Sequence, residues 1–367
     1  MSSVNKITLA ILTLTLIIGA FFRFYKLGTT PAGFYSDEAA LGYNAYSILK
    51  TGKDEYGKSY PVLFRSFETF QSPVYTYLTV PFIYFFGLSS FSVRFLSALL
   101  GLLTLPLFYI LVKQLNPRPA RPAGRSTIYH LPSIATLLLA ISPWHILYSR
   151  TAYEANIALF FLVLGLVLFF SSFKKPFLLL FSSPSLAISF LAYRAEVIVI
   201  PVLILALLYL FFRNPERRSG VNIFLISVAM IVGLFIISPL LVLIPTAGFM
   251  ARSSELNITF GLREFLSLYS SYFSPRYLFS IGDSGPRSSF PDFGTFYQWQ
   301  FPLYLFGLYQ ILKIKNSSRF KIFIFTLLLI SPIPAALTKD PYTTIRSLIM
   351  VVPLTVIMAY GLTEITT

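Results

Sequence analysis

Four carboxylates stand out in the stretch GFYSDEAALGYNAYSILKTGKDEYG, Gly33 to Gly57: Asp37 and Glu38, then Asp54 and Glu55. A positioned carboxylate can take a proton from a hydroxyl and so turn it into a nucleophile. These acids follow a strongly apolar run, Ile7 to Tyr25. An acid just beyond such a run is held near the plane where a membrane meets water. There it can face a hydroxyl arriving from the water side and a lipid-borne group arriving from the bilayer. Acids in a first helical turn also have a plainer use, since they stabilise the helix through its dipole without doing chemistry. Location tilts the balance. Asp37 and Glu38 are the candidate catalytic pair, and Asp54 and Glu55 are loop-organising or acceptor-side groups.

Guanidinium groups recur in similar places. SPWHILYSRTAYEAN carries Arg150 and Glu154, LAYRAEV carries Arg194 and Glu196, and TKDPYTTIRSLIM carries Lys339, Asp340 and Arg346. Any one of these arginines alone reads as a lipid-headgroup anchor. Three outer turns, each with an Arg beside an acid or a Tyr, point together to phosphate, whose oxygens a planar fork binds two at a time. Arg150, Arg194 and Arg346 are therefore candidate substrate-binding residues. His130 and His145 lack a second His at metal-ligand spacing and read as packed or interfacial. Oxygen-only sites suit Mg²⁺ or Mn²⁺, but nothing in the spacing of the acids demands a metal. No Gly-rich phosphate loop, Walker lysine or Ser/His/Asp arrangement is visible. Asn257 and Asn316 begin glycosylation-type triplets that are too short to carry weight.

The elements that must position these groups follow from composition. Of 367 residues 56% are hydrophobic and only 12% are charged, about half the usual share for a soluble domain. A soluble fold could not hide so much apolar surface, so the chain reads as an all-α, polytopic transmembrane helical bundle. Ten apolar segments are candidate spans: 7–25, 91–112, 131–148, 155–173, 177–192, 197–212, 221–244, 299–312, 322–337 and 347–362. Pro184 interrupts the fifth. The first run leads straight into RFYKLG with no small-residue cleavage site, which favours an uncleaved span over a signal peptide. The whole chain, 1–367, reads as one integral membrane domain.

With the N-terminus cytoplasmic, four short inner loops carry thirteen basic residues and three short outer ones carry four. This is the positive-inside pattern at every turn, and it places both termini in the cytoplasm of a multi-pass cell-membrane protein. It also explains the net charge of +15 without nucleic acid. Twelve of the fourteen acids fall on the outer side, and so do two long loops, 26–90 and 245–298, rich in aromatics. Loops of that length in a compact protein usually carry function. No internal repeat is evident, and the absence of Cys excludes disulfides and thiolate chemistry.

Within the first long loop, SDEAALGYNAYSILKTG reads as a short interfacial helix. Ser36 is the expected N-cap, Asp37 and Glu38 lie in the first turn, and Gly52 follows the end. Leu41, Ala45 and Ile48 share its apolar face.

The order of motifs resembles a known family. A first span is followed by GFYSDEA, then SILKTGKDEYG, then SPVYTYLTVPFIYFFGLSSFSVRFLSALLG. This resembles bacterial members of glycosyltransferase family 39, the GT-C fold enzymes related to protein O-mannosyltransferases and aminoarabinose lipid A transferases. ISPWHILYSRTAYEAN and IRSLIMVVPLTVIMAYGL also resemble later spans of that family, so the likeness covers nearly the whole chain. The resemblance implies inverting transfer of a sugar from a polyprenyl-phosphate carrier to an acceptor on the outer face. It implies Asp37 as general base or acceptor-positioning carboxylate beside Glu38, and outer-face arginines on the carrier phosphate. Where many relatives carry a Lys before P-x-Y, this chain has Gln71 or Ser72, which makes Gln71 a further substrate-binding candidate. Relatives are commonly longer.

Two other readings compete. In a transporter or flippase for lipid-linked sugar the same acids would bind or gate a cation, and ionisable residues should lie deep within spans. Here charge gathers at the outer ends. An inactive, truncated transferase scaffold is the third reading, suggested by an end at Thr367 just past the tenth segment.

Overall fold

The computed structural model describes residues 3–66, 69–116, 130–213, 223–243, 261–283, 285, 288, 293–314, 319–338 and 340–365. Lys339, Asn257 and Asn316 lie outside the described residues.

Over its described residues, every apolar segment picked out above is largely helical. A backbone in hydrocarbon must satisfy its own hydrogen bonds, and a helix does this within one segment. The first helices are α1 (Ser3–Phe24), α2 (Ser36–Thr51), α3 (Pro73–Phe86) and α4 (Ser90–Leu115). There follow α5 (Leu131–Ala140), α6 (Pro143–Arg150), α7 (Glu154–Ser172), α8 (Leu179–Ala192), α9 (Glu196–Phe212) and α10 (Ile223–Leu243). The last are α11 (Leu262–Ser271), α12 (Phe301–Leu312), α13 (Arg319–Ile330), α14 (Ile333–Ala336) and α15 (Val351–Ile365). Among the described residues, five helical stretches are long and apolar enough to cross a membrane: 90–115, 154–172, 224–242, 319–336 and 348–365. A sixth arises if α5 and α6 count together. Shorter apolar helices cover 8–24, 176–192 and 196–212.

Three local features differ from the sequence expectation. The third segment is two helices bent by 55° about Ile141 and Ser142. Ser142 Oγ there accepts from the His145 N–H at 3.4 Å and caps the second helix. Pro184 lies inside an unbroken α8, which a short 3₁₀ turn at Pro176–Leu178 precedes. The first long loop also contains two antiparallel strands, β1 (Phe64–Ser66) and β2 (Thr69–Gln71), with Phe64 opposite Gln71. Runs of three residues are too short to show a strand period.

The packed interior centres on α15, buried along nearly its whole length. It lies against α12 so closely that a Cβ on Gly307 would strike the Ile357 carbonyl, and one on Gly361 the Leu303 carbonyl. Small residues at a helix crossing let two backbones approach where apolar burial alone gives no drive. In contrast, α10 leaves Phe224, Ile231, Phe235 and Val242 exposed, as a lipid-facing helix would.

Candidate active site

The loop that carries Asp37 is built from its buried arginines. Arg150, at the end of α6, reaches back to the end of α1 and donates to the carbonyls of Phe22 (2.6 Å), Tyr25 (2.7 Å) and Thr30 (2.8 Å). Helix C-termini leave their last carbonyls unpaired, and this guanidinium satisfies them. Arg94, on α4, donates to the carbonyls of Pro31 (3.0 Å) and Gly33 (2.6 Å). It also grips Glu38 through Nε to Oε1 at 2.9 Å and Nη2 to Oε2 at 2.7 Å. The Ala152 N–H adds a bond to Oε1 at 2.8 Å, and the Tyr35 N–H one to Oε2 at 3.2 Å. Tyr35, not Ser36, is the residue at the N-cap position of α2, and Glu38 closes the cap from the third helical residue.

The second acid pair is tied up in a turn. Asp54 Oδ1 accepts from the N–H groups of Tyr56 (3.0 Å) and Lys58 (2.8 Å). Glu55 meets Asn44 of α2 twice, its Oε1 accepting at 3.1 Å and its N–H donating at 3.0 Å. These bonds fasten residues 54–58 to the helix that bears Asp37. Gly52, at φ +70°, ends that helix in the left-handed conformation where a side chain would be strained.

Asp37 itself is different. Its carboxylate makes no hydrogen bond or ion pair to another described residue, and it is half-buried in the wall of a cavity of about 310 Å³. Ligand pockets run roughly 300–1,000 Å³, so this one suits a small group. The wall draws on four chain segments: Asp37 and Gln71 from the first long loop, Glu154 from the start of α7, Arg194 from the α8–α9 turn, and Thr338 and Arg346 from the α14–α15 connection. Tyr153 and Tyr193 complete its polar lining. Of the sequence-derived candidates, Asp37, Gln71, Arg194 and Arg346 share this cavity. Glu38, Arg150, Asp54 and Glu55 stand outside its wall and serve the backbone contacts just described.

Glu154 joins them although the sequence motifs did not place it in the site. The only signal was its position in an outer turn, as the acid of the first turn of α7. Three consecutive residues leaving β2 each hold one charged member of the cavity. The Phe70 carbonyl accepts from Arg194 Nη2 at 3.0 Å. Gln71 Nε2 donates to the Asp37 carbonyl at 3.4 Å. The Ser72 N–H donates to Glu154 Oε1 at 2.7 Å. The unexpected strand pair is thus what sets the spacing of Asp37, Glu154 and Arg194. Arg346 is fixed separately, Nη1 donating to Thr338 Oγ1 at 2.6 Å and to Asp340 at 3.2 Å.

The second long loop docks on the α14–α15 connection through Asp283. Its Oδ2 accepts from the N–H and Oγ1 of Thr344 at 2.6 and 2.7 Å. Tyr148 Oη and Thr344 Oγ1 lie 2.6 Å apart, and Trp144 Nε1 donates to the Thr344 carbonyl at 3.1 Å. These bonds link the α14–α15 connection, which gives Thr338 and Arg346 to the cavity, to α6. A second hollow, about 430 Å³, lies between α8, α9 and α10; apart from Ser182 and Ser183 its wall is hydrocarbon.

Among the described residues no three His, Asp or Glu side chains come together as metal ligands. The cavity wall carries two carboxylates, Asp37 and Glu154, and Mg²⁺ is commonly held by one or two carboxylates with water and substrate phosphate completing its shell.

Two acidic and two basic side chains, Asp37 and Glu154 with Arg194 and Arg346, thus share one small cavity. Such a set can deprotonate a neutral hydroxyl and, in the same space, hold an anionic phosphate.

No protein-family model and no curated protein matches the chain in sequence. Solved structures match it in fold. ArnT from Cupriavidus metallidurans bound to undecaprenyl phosphate superposes with a TM-score of 0.59 at 13% identity, covering 100% of this chain and 61% of that one. The Archaeoglobus fulgidus oligosaccharyltransferase in complex with zinc and sulfate gives a TM-score of 0.60 at 13% identity, over 97% of this chain and 49% of that one. AglB from the same organism, in complex with an inhibitory peptide and a dolichol-phosphate, gives 0.54 at 13% identity, over 98% of this chain and 50% of that one. The chain has the GT-C fold of these membrane glycosyltransferases, and spans about three fifths of the length of the first and half that of the others.

Proposed function

We propose that the protein is a membrane glycosyltransferase that moves a sugar from a polyprenyl-phosphate carrier to an acceptor hydroxyl. The observation that carries this reading is the cavity that joins the unpaired Asp37 carboxylate to Arg194 and Arg346. A transporter would place its ionisable groups deep along a path through the bundle, whereas these sit together where outer turns converge.

In the proposed reaction Asp37 takes the proton of the acceptor hydroxyl. The oxygen attacks the anomeric carbon from the face opposite the carrier, and the bond from that carbon to the phosphate oxygen breaks. The sugar is transferred with inversion. The carrier leaves as a phosphate bearing the bond's electron pair, and the two guanidinium groups stabilise that charge. Glu154 is held by the Ser72 N–H on the same wall and helps orient the acceptor. Glu38 positions Asp37 by fixing the first turn of α2 through Arg94. Arg150, Asp54 and Glu55 keep the surrounding loop in shape. Both neighbours that carry a bound lipid hold a polyprenyl phosphate, undecaprenyl phosphate in one and dolichol-phosphate in the other, which supports the donor class.

The loop charges favour an outer-face site. Basic residues crowd the connections at the far end of the bundle, and the cavity-forming turns hold most of the acids. The direct test is to reconstitute the protein in lipid vesicles with radiolabelled sugar-loaded undecaprenyl phosphate and an extract of envelope acceptors. Transfer of label that stops with Asp37→Asn is the expected result. Envelope glycoconjugates whose masses are identical with and without the protein, together with no transfer in vesicles, would reject the reading.

A further inference from the structure

The amide of Gln71 is left half-used. Gln71 is 3% exposed and forms part of the cavity wall. Its Nε2 donates to the Asp37 carbonyl. That bond sets the amide's orientation, because a carbonyl oxygen accepts and only the NH₂ side can donate to it. The other side, Oε1, is buried and has no hydrogen-bond partner among the described residues. A buried acceptor without a donor is costly, typically about 1–3 kcal/mol, so an occupant that brings a donor has something to gain here.

The two ends of a sugar-loaded carrier differ in that respect. The phosphate diester offers only acceptor oxygens and a negative charge. Facing Oε1 it would set two acceptors against each other. A sugar offers O–H donors. The cations suited to the phosphate, Arg194 and Arg346, come from other turns of the chain, the α8–α9 turn and the α14–α15 connection. Resting on the transferase reading above, we propose that Gln71 reads the sugar and not the phosphate. Its Oε1 accepts from a sugar hydroxyl, so the cavity prefers a loaded carrier to the spent polyprenyl phosphate that transfer leaves behind. Gln71 is then a specificity-determining residue that favours release of the product lipid.

The test compares the binding of two probes to the full chain in lipid nanodiscs: undecaprenyl phosphate, and undecaprenyl phosphate carrying a hexose. The wild-type protein should bind the loaded lipid more tightly. Gln71→Met keeps the side-chain length and removes the acceptor. It should weaken the loaded lipid by about tenfold or more and leave the bare lipid within about twofold, as loss of one hydrogen bond at a buried group implies. Gln71→Lys, which adds a cation, should favour the bare lipid and reverse the preference. The ratio between the two lipids is insensitive to a general loss of folded protein. Equal weakening of both lipids by Gln71→Met overturns the proposal and assigns the residue to packing. Tighter binding of both lipids by Gln71→Lys, with the ratio unchanged, overturns it in favour of a phosphate contact. A wild-type protein that transfers sugar yet binds both lipids equally overturns it while leaving the transferase reading intact. A protein that binds neither lipid removes both.

Discussion

Arg94 Nε and Nη2 both reach Glu38, at 2.9 and 2.7 Å, and both side chains are 2% exposed or less. The pair crosses fifty-six positions of sequence and fastens the start of α2 to α4. Asp37 is the residue immediately before, and the pair determines where its side chain emerges. A buried ion pair need not stabilise relative to a well-packed apolar pair, but breaking one half leaves an uncompensated buried charge.

The first prediction follows. Arg94→Met should destabilise the protein by about 3–5 kcal/mol, because Glu38 keeps its burial and loses its cation. Adding Glu38→Gln should recover part of that loss, since the charge is then gone and the amide can still accept from Ala152 and Tyr35. Thermal unfolding of the purified protein in detergent checks both. A double variant no better than Arg94→Met alone would show that the pair is not the coupling element.

Asp37→Asn should separate chemistry from folding. The carboxylate has no described partner to lose, so stability should change by no more than about 1 kcal/mol, the size of its interaction with the helix dipole. Transfer should fall by roughly 10²–10⁴-fold, the usual worth of a general base. A rate within a few-fold of wild type, measured in the vesicle assay, would remove Asp37 from the chemistry.

Arg194→Ala and Arg346→Ala should act on donor use more than on acceptor use. Charge-assisted hydrogen bonds contribute about 1.5–3 kcal/mol each, so each change should lower kcat/KM for the loaded carrier by roughly tenfold or more. Arg346 shares its Nη1 between Thr338 and the more exposed Asp340. High salt should therefore weaken the Arg346–Asp340 contact and with it the fixing of Arg346. Steady-state kinetics at varied donor and fixed acceptor distinguish these effects; an unchanged donor KM for both variants would reduce the pair to structural anchors.

The helices were legible because their signal is long: eighteen apolar residues have few alternative uses. The different surroundings of the first acid pair were not legible. Asp37 and Glu38 are neighbours of similar chemistry in one helical turn, and what separates them is Arg94, which no local pattern links to position 38. Arg150 looked like a phosphate ligand for the same reason. In the structure it donates to the backbone carbonyls of Phe22, Tyr25 and Thr30, groups that every residue carries and that leave no mark in sequence. The segment from Phe70 to Ser72 was the least visible part of the site. It works through two main-chain groups and one amide, and strand pairs of three residues have no period to detect. Charged residues clustered at the outer turns were legible as a set, yet which of them face a common cavity is decided only when four distant segments meet.

The last prediction concerns Arg23, a fully buried cation near the end of α1 with no carboxylate bonded to it among the described residues. Its Nη1 donates to the carbonyls of Gly19 (3.0 Å) and Ala140 (3.2 Å), and its Nη2 meets His145 Nδ1 at 2.6 Å. An arginine is always a donor, so His145 must accept at Nδ1 and carry its proton on Nε2. The contact spans the bend between α5 and α6, where Ala140 is the last helical residue and its carbonyl lacks an intrahelical partner. Arg23 therefore stands in for the hydrogen bonds the bend has broken, and His145 steadies it from the far side. His145→Phe preserves the aromatic bulk but strands one guanidinium N–H in the interior. It should cost about 1–3 kcal/mol of stability. His145→Gln, whose amide oxygen can accept the same bond, should cost distinctly less. Because α6 also carries Trp144 and Tyr148, which hold Thr344 near the cavity, the phenylalanine variant should lose transfer activity at temperatures where it is still folded. Equal stability of the two variants would mean that ring packing, not the Arg23 hydrogen bond, is what His145 supplies.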